Sequence, residues 1–125
     1  MTASSDPAPD TALPLRTGAL LLDMDGTLID SGPAVERSWN TLLRELGTDI
    51  VFGHAHHGMP ARQVLAEVLP EASEEQLRAA HRRIEELEIE DVEGIVVLPG
   101  TERLLGELDA AAEQLGRGTW TIVTS

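Results

Sequence analysis

A short apolar run that ends in two aspartates is the feature that most constrains how this chain can fold. The run covers residues 19–22 and has no polar alternation, which is typical of a parallel strand buried on both faces. Asp23 and Asp25 follow it, at the start of a turn that contains Gly26 and Thr27. Because ligands of open α/β sheets bind beyond the carboxyl ends of the strands, two acids at this position are placed for chemistry.

The residue types of this motif predict a phosphoryl-transfer site. One carboxylate can attack phosphorus while the other moves protons. Gly26 allows a sharp turn whose N–H groups can form an anion-binding concavity, and Thr27 adds a hydroxyl donor. Two acids would repel a phosphate without a cation, so we expect Mg²⁺ to be bound by Asp23 and Asp25 with waters and phosphate oxygens. The alternative is a surface Asx turn that closes an ordinary strand.

The nine residues from Asp23 to Ser31, DMDGTLIDS, resemble the first signature motif of the haloacid dehalogenase superfamily, in its phosphatase branch. The resemblance implies that Asp23 is the nucleophile that forms an aspartyl-phosphate. It also implies that Asp25 is the acid/base, with its backbone carbonyl in the Mg²⁺ shell. The dehalogenases of this superfamily lack the second acid, so Asp25 favours phosphate esters as substrates. Its phosphonate hydrolases use a lysine in the cap, and this chain has no lysine.

Residues 120–125 predict a second strand that ends in hydroxyl side chains. A hydroxyl beside the acids can donate to a phosphate without adding charge. Thr124 matches the second motif of the family, and the resemblance implies that its hydroxyl and the N–H of Ser125 hold the phosphoryl oxygens. The structural alternative is that threonine occurs here for its preference for strands.

Apolar spacing and capping signals predict four helices between and after these motifs. Asp30 or Ser31 can cap the first of them. The predicted helices are one with Pro33 in its first turn that ends at Gly47, one over residues 60–69, one opened by a capping box at residues 73–76, and one over residues 104–115.

The interval between the two predicted strands is mostly helical and much longer than one crossover requires. The sequence therefore predicts a helical cap inserted after the nucleophile loop, as the family resemblance also implies. The expected fold is α/β: a Rossmann-like parallel sheet of the haloacid dehalogenase type with an inserted α-helical cap, of which only the first two core strands are present. The expected segments are a flexible tail (1–17), the first core strand with the nucleophile loop (18–31), the cap (32–98) and the return to an incomplete core (99–125).

A histidine cluster lies within the predicted cap. His54, His56 and His57 invite a zinc interpretation, but no further ligand follows at a closing spacing. The stretch from His57 through Gly58 to Arg62 instead resembles the cap specificity loop of phosphosugar and polyol phosphatases. The resemblance implies that His57, Gly58 and Arg62 contact the substrate, and arginine suits phosphate or sugar hydroxyls. The alternative is a helix-initiating turn with exposed polar side chains.

Charge and composition narrow the function classes. The formal net charge of −13, with nine basic residues that are all arginine, opposes binding to nucleic acids or anionic membranes. The apolar runs are too short to cross a bilayer. The chain has no cysteine and begins without a signal-peptide pattern, so we expect a cytoplasmic protein.

The resemblance covers residues 18–125 but only two of the four family motifs. The third supplies a cation for the phosphoryl group and the fourth supplies further acids for Mg²⁺. Two parallel strands also cannot cover their own faces. We therefore expect the front half of an enzyme, with negligible activity on its own.

The expected function is Mg²⁺-dependent hydrolysis of a small phosphate monoester, a sugar or polyol phosphate, through an aspartyl-phosphate on Asp23. The expected partner is thus a small phosphorylated metabolite, and the sequence leaves the oligomeric state open. A phosphosugar mutase of the same superfamily would use the same two acids and is one alternative. A noncatalytic or degraded fragment that keeps the motif is the other.

Overall fold

The computed structural model describes residues 16–124, so most of the predicted tail and Ser125 lie outside the described residues. A 3₁₀ turn, His54–His56, lies between the first two helices. The elements are β1 (Leu20–Leu22), β2 (Ile29–Asp30), α1 (Gly32–Glu45), α2 (Ala61–Val68), α3 (Glu74–Glu90), β3 (Val96–Val97), α4 (Thr101–Leu115) and β4 (Trp120–Ile122).

Strands β1 and β4 form a parallel pair, which confirms the predicted α/β class. Leu20 is opposite Trp120 and Leu22 is opposite Ile122. The ladder continues past the last strand residue, because the N–H of Val123 donates to the carbonyl of Leu22 at 2.8 Å. The carboxyl ends of both strands therefore meet at one edge of the sheet.

The prediction that the first strand is buried on both faces is wrong for the described chain. The Leu21 side chain is 73% exposed, and Ile122 and Val123 on the partner strand are exposed as well. The physical reason is that residues 16–124 supply a sheet of only two strands here, so the strands lack neighbours that would cover them. Helix α4 contacts the start of β4 through Thr119, the residue before that strand. The hydroxyl of Thr119 donates to the Leu108 carbonyl of α4 at 2.7 Å.

The main hydrophobic core lies among the helices and not on the sheet. Helices α1, α2 and α3, called the helical unit below, pack around a cluster of ten buried side chains. Nine of the ten lie on these three helices, which the apolar spacing of the sequence predicts. None of the helices in residues 16–124 is both long and apolar enough to span a membrane. The cluster consists of Trp39, Leu42, Leu43, Phe52, Val64, Leu65, Val68, Ala80, Ile84 and Leu87.

The predicted end of α1 and the predicted start of α3 agree with the structure. Helix α1 is followed by Gly47 in the left-handed region, at a φ of 71°. The capping box of α3 is formed in both directions. The N–H of Gln76 donates to the Ser73 hydroxyl at 3.2 Å, and the N–H of Ser73 donates to the Gln76 side-chain oxygen at 2.8 Å.

A short antiparallel pair, β2 with β3, joins the points where the chain enters and leaves the helical unit. Asp30 is opposite Val96 and Ile29 is opposite Val97. Arg37 of α1 adds a second tie, since its guanidinium makes two hydrogen bonds of 2.8 Å to the Asp91 carboxylate and one to the Glu93 carbonyl. The sequence did not predict this pair of strands.

We expect Leu65→Ala to lower the free energy of unfolding by about 2–5 kcal/mol, because it empties volume at a fully buried position. Urea unfolding followed by tryptophan fluorescence measures the change. Leu115→Ala, at a side chain that is 58% exposed, is the matched control and should change stability little. Equal losses in the two variants would contradict the placement of the core.

The stabilisation from the ion pair of Arg37 and Asp91 should depend on pH. Its guanidinium holds the pKa of the Asp91 carboxyl below the usual value, chiefly through their side-chain hydrogen bonds. A pKa that folding lowers stabilises the folded state above the ordinary aspartate pKa, and this stabilisation is lost as the pH falls through the lowered value. We therefore expect the stability difference between the unmodified protein and Arg37→Gln to shrink from pH 7 to pH 3.

Denaturant unfolding at a series of pH values measures that difference. Arg103→Gln is the control, because Arg103 is highly exposed and, within residues 16–124, pairs only with Glu107 of its own helix. A difference for Arg37→Gln that stays constant across this pH range would contradict the assigned ion pair.

Candidate active site

The loop after β1 is closed by its own backbone. The Met24 carbonyl accepts from the N–H groups of Thr27, Leu28 and Ile29 at 2.9–3.2 Å, and the N–H of Gly26 donates to the Ile29 carbonyl at 2.8 Å. Gly26 has a φ of 75°, a conformation that residues with a Cβ rarely adopt. The amides of Gly26 and Thr27 thus donate to carbonyl groups within the loop in this structure.

Three hydroxyl groups surround the two carboxylates. Thr27 Oγ1 donates to Asp23 Oδ2 at 3.3 Å. Asp25 receives two such bonds, from Ser31 Oγ to Oδ1 at 2.6 Å and from Thr124 Oγ1 to Oδ2 at 3.4 Å. Both acids remain exposed to solvent. The structure therefore brings four of the residues named from the sequence into one cluster: Asp23, Asp25, Thr27 and Thr124.

Ser31 is a member of this cluster that the sequence suggested only as a helix cap. Its side chain makes no capping hydrogen bond to α1 and is buried, with the hydroxyl turned to Asp25. The first amide of α1 is bound instead by Asp30, whose Oδ1 accepts from the N–H of Gly32 at 3.2 Å. Both residues are good caps, so the residue types alone could not assign these roles.

The structure gives His57 and Arg62, two of the predicted cap contacts, different neighbours. A Cβ atom built on Gly32, the residue after Ser31, would lie 3.9 Å from His57 Cε1. His57 therefore lies beside the start of α1, and Gly58 follows it in a left-handed turn at a φ of 79°. Arg62 instead pairs with Glu74 Oε2 at 2.8 Å and is 70% exposed, so the structure does not bring it to the acids.

Glu88, near the end of α3, is a further group that the sequence reasoning did not mention. Burial is the main cause that raises the pKa of its carboxyl, and the nearby negative charge of Asp25 adds to the shift. A hydrogen bond from Trp39 opposes the shift. The end of α3 is thus close enough to the acid loop for the two carboxylates to influence each other.

The described residues contain no group of three or more His, Asp or Glu side chains arranged to hold a metal ion by themselves. Mg²⁺ commonly binds through one or two carboxylates and completes its shell with waters and phosphate oxygens. Asp23 and Asp25 are exposed, acceptor-only groups on one loop, and they fit such a partial site. Their chemistry also suits oxygen-ligated Mg²⁺ better than a transition metal.

Comparison with curated proteins finds sugar phosphatases. The chain is 38% identical over 113 residues to hexitol phosphatase A of Escherichia coli, covering 89% of this chain and 50% of that protein. It is 30% identical over 110 residues to 2-deoxyglucose-6-phosphate phosphatase 1 of Saccharomyces cerevisiae, covering 84% and 44%. The chain spans about half the length of the curated relatives it matches.

Solved structures share the fold. A candidate phosphoglycolate phosphatase from Lactobacillus plantarum superposes with a TM-score of 0.70 at 24% identity, covering 89% of this chain and 51% of that one. CbbY from Rhodobacter sphaeroides, in complex with xylulose-(1,5)bisphosphate, superposes with a TM-score of 0.63 at 22% identity, covering 86% and 50%. The model of the haloacid dehalogenase-like hydrolases matches residues 17–123. The chain therefore belongs to the haloacid dehalogenase-like hydrolase family.

Proposed function

We propose that the protein containing this chain hydrolyses a small phosphate monoester, a sugar or polyol phosphate, with the help of Mg²⁺. The observation that carries the proposal is the meeting of two carboxylates and a hydroxyl at the common edge of β1 and β4. Thr124 follows Asp25 by 99 residues in the chain, and its hydroxyl donates to Asp25 at 3.4 Å. The names of the curated relatives support the substrate class.

In the proposed reaction, a carboxylate oxygen of Asp23 attacks phosphorus and the bond from phosphorus to the ester oxygen breaks. Protonated Asp25 gives its proton to the leaving alcohol. Asp25, now a carboxylate, takes a proton from a water that attacks the aspartyl-phosphate, which releases phosphate and restores Asp23. A bound Mg²⁺ would supply positive charge beside the transferred group.

The hydroxyl groups around Asp25 suit this role. Ser31 and Thr124 hold the two oxygens of the carboxylate from different sides, so its orientation is defined before a substrate arrives. Thr124 can turn its hydroxyl to a phosphoryl oxygen, as the family's second motif implies. The phosphate-binding roles of Gly26, Thr27 and Ser125, and the substrate contacts of Gly58 and Arg62, remain predictions.

We propose further that residues 16–124 alone react slowly. The groups that contact Asp23 and Asp25 among these residues are neutral hydroxyls, and no arginine in this part of the chain pairs with either acid. Charge that develops on the transferred phosphoryl group would therefore be compensated weakly.

The assignment of the helical unit as the cap remains a prediction, and so does the cytoplasmic location. Hydrolysis is preferred to a mutase reaction because the curated relatives described above are phosphatases.

Asp23→Asn should reduce turnover by at least about 10³-fold, because an amide cannot act as the attacking carboxylate. The measurement is release of inorganic phosphate from a hexitol phosphate with Mg²⁺ present, by the protein that the complete gene encodes. Asp49→Asn, an exposed aspartate in the loop after α1, is the control and should keep full activity. Undiminished turnover by Asp23→Asn would refute the proposed nucleophile.

Thr124→Val should lower kcat/KM by about 10²-fold, since it removes a neutral donor near the developing charge. Thr124→Ser keeps the hydroxyl and should keep most of the activity. Thr121→Val is the matched control, because Thr121 is exposed on β4 and lies three residues before Thr124. Equal activity of Thr124→Val and Thr121→Val would show that the hydroxyl has no part in the reaction.

A further inference from the structure

The imidazole of His57 is held by a carboxylate from a different part of the helical unit. His57 Nε2 lies 2.8 Å from Oε1 of Glu36, a residue in the second turn of α1. The ring belongs to the loop between the 3₁₀ turn and α2, and Glu36 precedes it by 21 residues. A carboxylate of this kind can only accept, so Nε2 must be the donor in the pair.

The same ring is supported on a second side by aromatic packing. Phe52 meets His57 edge to face, with the ring centroids 5.3 Å apart and the planes at 75°. Phe52 is itself buried and stacks on Trp39 of α1 at 5.2 Å. Two independent contacts, one polar and one apolar, therefore fix the imidazole relative to α1.

The fixed ring lies next to the start of α1, at the residue that follows Ser31. His57 Cε1 faces the backbone at Gly32, one residue after the serine that binds Asp25. Since Nε2 is occupied by Glu36, Nδ1 is the remaining polar atom of the ring. Among the described residues no hydrogen-bond partner of Nδ1 is found. In the neutral ring Nδ1 is an acceptor, which suits a hydroxyl group of a bound molecule.

We propose that Glu36 is a positioning residue for substrate recognition. It holds His57 with Nδ1 free to accept a hydrogen bond from a hydroxyl on the part of the substrate that does not react. This inference rests on the proposed function, and it assigns the selectivity for a polyhydroxylated monoester to the pair of Glu36 and His57. Among residues 16–124, Glu36 makes no hydrogen bond to Asp23 or Asp25, so its assigned role is indirect and runs through His57.

The test compares a hexitol phosphate with an aryl phosphate that has no hydroxyl groups, using the protein that the complete gene encodes. We expect Glu36→Ala and His57→Ala each to raise KM for the hexitol phosphate about five- to tenfold, the size of one lost hydrogen bond. The kcat for the hexitol phosphate and the turnover of the aryl phosphate should change less than twofold. Glu36→Gln keeps a side-chain acceptor for Nε2 and should restore the KM.

A double variant, Glu36→Ala with His57→Ala, distinguishes a positioning role of Glu36 from a separate contribution of Glu36 to substrate binding. If Glu36 acts through His57, Glu36→Ala should add nothing to His57→Ala in the KM for the hexitol phosphate. Glu107→Ala, which removes an exposed glutamate paired with Arg103 on α4, is the control and should leave both substrates unaffected. Denaturant midpoints of all variants show whether a change in KM comes with a loss of folding.

Four results would overturn the inference: additive effects in the double variant, no rescue by Glu36→Gln, an equal loss on both substrates, or no change in KM. Each of these can occur while Asp23→Asn is still inactive, in which case the proposed function stands and the role of Glu36 falls. Absence of phosphate release from both substrates by the unmodified protein would refute the proposed function and this inference with it.

Discussion

The parallel pairing of β1 with β4 is the contact on which the candidate site depends. It joins residues 20–22 to residues 120–122, and both strands run in the same direction. Their carboxyl ends therefore meet, and Thr124 reaches Asp25. An antiparallel pair would have placed these two side chains at opposite ends of the sheet. The direction of the pairing, more than the distance along the chain, assembles the site.

The helical unit is joined to the acids through Ser31. Its hydroxyl could have capped α1, a contact worth about 1 kcal/mol in a typical helix. In the structure it binds Asp25 at 2.6 Å, and Asp30 takes the first amide of the helix instead. Because Ser31 directly precedes α1, the orientation of Asp25 is linked to the position of the helix that carries Glu36, Arg37 and Trp39.

The sequence predicted the features that depend on local pattern. The four helices, the capping box of Ser73 and Gln76 and the parallel first strand all follow from spacing or residue type, and the structure agrees. The family resemblance, and not the residue type alone, implied a role for Thr124 at the acid site, and its hydroxyl lies 3.4 Å from Asp25. The family assignment from the DMDGTLIDS motif is confirmed by the match over residues 17–123.

The features that the sequence did not predict depend on partners far along the chain. Strands β2 and β3 are two residues each, too short for a periodic pattern, and only their pairing defines them. The ion pair of Arg62 with Glu74 at 2.8 Å joins two helices, and the sequence around Arg62 contains no signal for that partner. The apolar run of β1 indicates burial, yet burial requires neighbouring strands or helices that a single segment does not contain.

The chain crosses between the sheet and the helical unit twice, and the two crossings lie side by side in the β2–β3 pair. Both connections therefore leave the sheet next to Ser31, which directly follows Asp30 of this pair. Any change that displaces the β2–β3 pair would displace Ser31 as well, so the 2.6 Å hydrogen bond from Ser31 to Asp25 couples the acid loop to both connections.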